Sequence, residues 1–293
     1  MTEITAGMVK ELRELTGAGM MECKRALEEA DGDKKKAEDL LRIKSGAKAS
    51  KAAGRIAAEG VIGAYLAPDR KLGALVEVNC ETDFVAKNED FLAFARVLAE
   101  VVAKENPSDV DALSKLTIAG EHVEARRQAL VHKIGENMSI RRFARIATDA
   151  KLWQYVHGVK IGALVDYEGD DEVGKGVAMH IAFAKPQFLS KADVPQDLVA
   201  RERAVQQARA QESGKPAEIA AKMVEGAVNK FIADITLLGQ QYALNDKLTV
   251  EKAVAERKSK IRGYRFLVVG EGIEKKTGDF AAEVRAQAGM AVR

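Results

Sequence analysis

The feature that most restricts the fold is a repeat. KLGALVEV at residues 71–78 returns almost letter for letter as KIGALVDY at residues 160–167, 89 positions later. Each copy has the aliphatic run of a strand, follows a second strand-like stretch, and precedes an apolar stripe at helical spacing, 84–104 in one case and 173–184 in the other. A fainter echo links IRRFAR (140–145) with IRGYRF (261–266), 121 positions apart. This pattern predicts an α+β protein whose core is two similar α+β subdomains with antiparallel sheets.

The two offsets differ by about 32 residues, which places an insertion between the first helix and the last strand of the second half. Residues 195–238 can supply it. Two helical patterns, 195–212 and 216–236, meet at Ser213, Gly214, Lys215 and Pro216, where glycine ends one helix and proline opens the next. The second arm carries Ile219, Met223, Val224, Ala227, Phe231 and Ile235, whereas the first is mostly polar. An antiparallel helical hairpin is expected, a short coiled coil that buries a narrow seam and projects from the core.

In the first half, strands 60–66 and 72–79 are joined by Ala67, Pro68, Asp69 and Arg70 as a hairpin. Helix 84–104 then starts with Thr82 or Asp83 as its N-cap, and Phe84, Phe91, Phe94, Ala95, Leu98, Val101 and Val102 form its apolar face. A helix over 121–134 leads to strand 138–147, where Ile140, Arg142, Ala144 and Ile146 alternate with Ser139, Arg141, Phe143 and Arg145. Strict alternation implies a sheet with one wet face.

Ahead of the repeat, residues 2–44 read as three short helices, with apolar positions Met8, Leu12, Leu15, then Met20, Cys23, Ala26, Leu27, Ala30, then Ala37, Leu40, Leu41. A bundle this small has a thin core and suits an accessory docking role. Met20 and Met21 are adjacent on one helix, so at least one thioether must point outward. Residues 43–55 hold Lys44, Lys48, Lys51 and Arg55 without an acid, with breaks at Gly46 and Gly54, and read as a mobile basic linker. The missing aromatic residues make a nucleic-acid arm the weaker reading of that stretch. The expected units are 1–55, 56–148, 149–270 and 271–293.

Charge and motifs exclude most chemistry. The 46 basic and 44 acidic residues leave a formal +2, far from the basic footprint of a protein that lives on phosphate contacts. Two cysteines, Cys23 and Cys80, cannot build a disulfide framework or a zinc site of ordinary spacing. Four scattered histidines, and no Walker, GxSxG or GxGxxG pattern, argue against a metal centre, a nucleotide site or a hydrolase. With no signal-like start and no apolar run of spanning length, a cytoplasmic protein without membrane partner or cofactor is expected.

Five longer stretches carry a resemblance: LRELTGAGMMECKRAL (12–27), EVNCETDFVAKN (77–88), HKIGENMSIRR (132–142), AMHIAFAKP (178–186) and GKPAEIAAKMVEG (214–226). Together they resemble the bacterial translation elongation factor Ts family, the guanine nucleotide exchange factors of elongation factor Tu. The resemblance implies a ubiquitin-associated-like amino-terminal bundle and a carboxy-terminal helical module beside the duplicated core. It also implies a partner, elongation factor Tu in its GDP-bound and nucleotide-free forms, and a factor that performs no covalent chemistry and binds no nucleotide itself.

By the same resemblance, Thr82, Asp83, Phe84 and Val85 dislocate the magnesium ion of the partner, while Arg13, Met20, Met21, Lys24, Ile134 and His157 dock on it. The residue types suit these tasks: Phe84 is a rigid apolar wedge, and Asp83 brings a negative acceptor to a site built on phosphate and metal charge. Taken locally, Thr82 and Asp83 read as helix caps, Phe84 as core and His157 as a solvated turn histidine. A rival of another class is an RNA- or ribosome-associated binder using Arg141, Arg142, Arg145 and the basic linker.

Overall fold

The computed structural model describes residues 3–212 and 215–274, so most of the carboxy-terminal unit expected at 271–293 lies outside the described residues. The chain opens with α1 (Ala6–Thr16), α2 (Met20–Glu29) and α3 (Lys34–Ala52). Thr5 caps α1 by accepting from the Met8 amide at 3.3 Å, Gly17 closes it at φ 68°, and Asp33 caps α3 by accepting from Lys36. Val9, Leu12, Cys23, Ala26, Leu27, Ala37 and Leu41 fill the centre of the bundle.

Two expectations fail in this bundle. Leu15 is 69% exposed, because Val9 and Leu12 fill the narrow stripe that α1 can bury, and Met20 is 58% exposed, because Cys23, Ala26 and Leu27 supply the buried face of α2. The basic linker is a helix instead: α3 runs through Gly46 to Ala52 and buries Ser45, Ala49 and Ala52, packing on the later helix at 123–134. Small residues on that face allow close packing, which outweighs the glycine penalty of about 1 kcal/mol. Two of its lysines are paired as well, Lys44 with Glu29 at 2.9 Å and Lys48 with Glu22 at 2.7 Å.

The first half continues as β1 (Glu59–Leu66), β2 (Leu72–Cys80), α4 (Glu89–Glu105), α5 (Val110–Lys115), β3 (Thr117–Ile118), β4 (Glu121–His122), α6 (Val123–Ile134) and β5 (Met138–Ala147). The second half is β6 (Lys151–His157), β7 (Ile161–Glu168), α7 (Asp171–Ala184), α8 (Gln196–Glu212), α9 (Ala217–Ile235), β8 (Gln241–Tyr242), β9 (Asn245–Thr249), α10 (Val250–Glu256) and β10 (Lys260–Val268). Their main sheets are antiparallel and equivalent, β1-β2-β5 and β6-β7-β10, with the repeated strand in the centre of each.

The fainter echo also has a structural counterpart. In β5 the register shifts between the pairs Glu77↔Arg142 and Val78↔Ile140; in β10 it shifts between Asp166↔Gly263 and Tyr167↔Ile261. The extra residues of these bulges, Arg141 and Arg262, stand at matching positions of the two motifs. The first bulge breaks the strict alternation expected of β5, so that Ile140 and Phe143 both pack on the core beneath α4.

Neither sheet keeps a wet face. One face of the first packs on α4, one face of the second on α7, and the remaining faces meet through Ile62, Leu75, Leu152, Leu164 and Leu267. The chain thus stacks helix, sheet, sheet, helix. Within the insertion, α8 and α9 pack on each other through Ala210, Val224, Val228 and Ile232, joined by Val194 from just before α8, with Arg203 paired to Glu225 across the seam.

Candidate functional site

The segment between β2 and α4 is held at both ends and free in the middle. The helix expected from residue 84 starts at 89, because Asn88 accepts from the amides of Asp90 and Phe91 at 3.0 and 3.2 Å and is the true N-cap. Thr82 instead accepts from the Val85 amide at 3.4 Å, ahead of a single 3-10 turn, Val85–Lys87, whose N-cap position is Phe84. Val85 and Ala86 are buried in the core below. Phe84, expected on the apolar face of the helix, is 81% exposed.

A carboxylate that sequence reasoning did not single out fixes this loop. Glu136 accepts from the amides of Glu81 and Thr82 at 3.1 and 3.0 Å and from the Thr82 hydroxyl at 2.6 Å. Around it, Arg55 pairs with Glu81 at 3.2 Å and donates to the Gly135 carbonyl at 3.0 Å, while Asn137 donates to the Arg55 carbonyl at 2.7 Å and, through its amide, to Glu81. Contacts between residues 54 positions apart leave no local periodic signal.

Asp83 and Phe84 therefore stand out from a braced frame. Lys87 lies 2.8 Å from the Asp83 carboxylate and 6.0 Å from the Phe84 ring centre. Its hydrogen bond and charge hold the Asp83 carboxyl below its ordinary value, so the tip presents an ionised carboxylate paired with Lys87. Beneath the loop, burial and the nearby Glu136 charge push the Cys80 thiol up to about 12, and it donates to the Thr82 carbonyl at 3.2 Å. A protonated, buried thiol cannot serve as a nucleophile.

The amino-terminal bundle adjoins the same corner. His132 on α6 bonds Glu22 on α2 at 2.8 Å, and Gly17 packs on the Lys133 stem. Lys133 in turn pairs with Asp90, the second residue of α4, at 2.7 Å. Burial raises the pKa of Glu22, but the Lys48 hydrogen bond and the charges of His132 and Lys48 outweigh it and hold the carboxylate below its ordinary value. On the bundle, Leu15, Met20, Met21, Arg13 and Lys24 are exposed, and Ile134 is half-buried at the end of α6.

Contacts thus tie α2, which carries Met20, Met21 and Lys24, to α6 through Glu22 and His132, and the segment after α6 to the loop through Glu136 and Thr82. His157 is placed on the second half, exposed at the end of β6, with Nδ1 3.1 Å from the Tyr155 hydroxyl. The arginines of the RNA-binding alternative are engaged internally: Arg141 and Arg142 on the buried Glu77 at 3.0 and 2.6 Å, Arg145 on the Ala103 carbonyl at 2.8 Å. Among the described residues there is no cluster of side chains that could hold a metal ion, and no helix long and apolar enough to cross a membrane.

A frame that presents a carboxylate and a benzyl group to the outside can bind a partner surface and wedge into it. Comparison with known proteins agrees with that character. The family described as "Elongation factor TS" matches residues 81–271. The chain is 58% identical over 292 residues to elongation factor Ts of Janthinobacterium sp. (strain Marseille), covering 99% of both chains. It is 59% identical over 288 residues to that of Bordetella petrii, covering 98% of this chain and 99% of the relative. With similarity of this extent along the whole sequence, the chain belongs to the elongation factor Ts family.

Proposed function

We infer that this chain is the guanine nucleotide exchange factor of elongation factor Tu in the cytoplasm: it binds the GDP form, releases GDP and leaves the site open to GTP. The observation that carries this reading is Phe84, a large apolar side chain 81% exposed on a loop whose neighbours Thr82 and Val85 are pinned. An apolar ring held out in water is costly alone and gains on entering a gap in a partner. Asp83 beside it, ionised and facing outward, repels phosphate and competes for the hydrogen bonds and metal that hold it.

Exchange needs only that factor and nucleotide weaken each other, and linkage makes that weakening mutual. Shifting a nucleotide from nanomolar to micromolar affinity takes about 4 kcal/mol, more than one wedge need supply. Arg13, Met20, Met21 and Lys24 on the bundle, Ile134 beside the loop, and His157 on the second half contribute the rest as docking contacts. The finer architecture follows the same reading: units at 1–55, 56–148, 149–270 and 271–293, a ubiquitin-associated-like bundle, and α8 and α9 as a short antiparallel coiled coil. The engagement of Arg141, Arg142 and Arg145 within the core weighs against RNA as the main partner.

The test is release of labelled GDP from purified elongation factor Tu. The unaltered chain accelerates release, and a folded Asp83→Ala, Phe84→Ala variant loses most of that acceleration. A variant as fast as its parent removes the wedge, and a parent without effect removes the function.

A further inference from the structure

The sulfur atoms of the described residues are sharply divided. Cys23 and Cys80 are fully buried; burial raises both thiol pKa values, that of Cys80 to about 12, so neither offers a reactive thiolate. Met138 is buried in the first core, and Met8 and Met179 are partly covered. The accessible thioethers are Met20 and Met21, 58% and 59% exposed, and Met223, 41% exposed. Met20 and Met21 occupy the first turn of α2, outside the bundle core formed by Cys23, Ala26 and Leu27.

We propose that Met20 and Met21 are a reversible oxidation site at which hydrogen peroxide weakens docking of the factor on its partner. In each event the peroxide O–O bond breaks, one oxygen becomes bound to the thioether sulfur, and the other leaves as water; sulfur is oxidised by two electrons and peroxide is reduced. A thiol-dependent methionine sulfoxide reductase reverses it, forming a disulfide and water as the S–O bond is lost. The sulfoxide turns a flexible apolar side chain into a polar one, which an apolar interface must desolvate without return. Because neither thioether contributes to the bundle core, the modification alters the docking face and leaves the fold in place.

This inference rests on the exchange reading, specifically on α2 facing the partner. The test treats the intact protein with peroxide, maps sulfoxides by mass spectrometry, and follows GDP release against factor concentration before and after treatment. Expected are early oxidation of Met20, Met21 and Met223, protection of Met20 and Met21 in the complex with the partner, and an unchanged thermal unfolding midpoint. The concentration for half-maximal release rises about tenfold, equivalent to about 1.4 kcal/mol, and returns after reductase treatment.

Each variant is scored by its own ratio after and before peroxide. Met20→Leu, Met21→Leu brings that ratio close to one, and Met223→Leu leaves it as in the parent. The inference is overturned if oxidation of Met20 and Met21 leaves the ratio at one, if the double leucine variant remains peroxide-sensitive, or if the midpoint falls with the activity. An untreated chain that does not accelerate GDP release overturns the exchange reading instead.

Discussion

Leu164 closes over the bare α-carbon of Gly73: a methyl group on that carbon would lie 2.9 Å from Leu164 Cδ1 and 3.1 Å from Cδ2. The contact is reciprocated, since a methyl on Gly162 would lie 3.1 Å from Leu75 Cδ2 and 2.6 Å from Ile62 Cγ2. Gly73 and Gly162 are equivalent in the repeat, and so are Leu75 and Leu164. The repeated motif is thus a recipe for two sheets to meet face to face, each supplying the leucine that fills the space the other's glycine leaves.

Gly73→Ala and Gly162→Ala should therefore each destabilise the protein by about 1–3 kcal/mol through overpacking, with Gly162→Ala the costlier. Gly263→Ala, whose added methyl meets nothing within 4 Å, is the control and should change little. In urea unfolding, Gly73→Ala should cost at least about 1 kcal/mol less in a Leu164→Ala background, where the space is already vacated. Additive costs would remove the interlock.

The hairpin turns are exchanged as well. The Leu152 amide of the second half donates to the Arg70 carbonyl at 2.7 Å, and the Ile62 amide of the first half donates to the Val159 carbonyl at 2.8 Å. Arg70 then lies 4.7 Å from the centre of the Trp153 ring and pairs with Asp171 at 2.6 Å. Its hydrogen bond leads those from Lys151 and Tyr167 in holding the Asp171 carboxyl well below the carboxylate range, while burial first and Asp171 second push the Tyr167 phenol up to about 12.

Because Trp153 is the single tryptophan, its emission reports on this rivet. Arg70→Ala should shift that emission to longer wavelength and cost about 1–3 kcal/mol in denaturant unfolding, from the lost stacking and hydrogen bonds. Arg70→Lys should recover less than half of the loss, since an ammonium cannot stack flat while bonding both Asp171 and the Leu152 carbonyl, to which Arg70 Nε donates at 3.1 Å. Full recovery by lysine would reduce the arginine to a point charge.

Glu77 is fully buried and accepts from Arg141, Arg142 and, at 2.7 Å, the Gly270 amide, tying the end of β10 to the first sheet. Burial works to raise its pKa, but the bonds from Gly270, Arg142 and Arg141 overcome it and leave the carboxyl below its ordinary 4.5. A folded-state value below the unfolded one means stabilisation that is complete above the unfolded value and lost as pH falls through the folded one.

Glu77→Gln should accordingly cost about 3–5 kcal/mol at pH 7, leaving two arginines without their buried counter-charge. The gap between variant and parent should narrow on acidification below the ordinary glutamate pKa and stay constant above it. Parallel unfolding curves from pH 7 to pH 3 measure it; a gap independent of pH would show that the charge of Glu77 is not what stabilises the junction.

What could be read beforehand follows from where the information lay. The repeated strands, the inserted helical pair and the TDFV motif are contiguous, and the sequence shows them directly. The buried sheet faces were not foreseen, because the clue, glycines at 73 and 162, acquires meaning only beside leucines 91 and 87 positions away. Asn88 displaced Thr82 as helix cap since both are good N-cap residues and only packing of Val85 and Ala86 decides between them. Gly46 looked like a break, yet Ala49 and Ala52 had a helix to pack on.

The remaining prediction concerns the loop itself, where stability and activity should separate. Phe84 is exposed and Asp83 bonds only within the loop tip, so Phe84→Ala should leave unfolding within about 0.5 kcal/mol of the parent while slowing GDP release from the partner. Glu136 holds the amides of Glu81 and Thr82, ahead of both residues in the loop. Glu136→Ala leaves those half-buried donors unpaired, at a cost of about 1–3 kcal/mol, and releases the frame that aims the ring. Glu136→Gln keeps one acceptor oxygen and should restore part of both properties. If Glu136→Ala loses stability yet exchanges nucleotide as fast as the parent, the frame is architecture alone and the wedge needs no aiming.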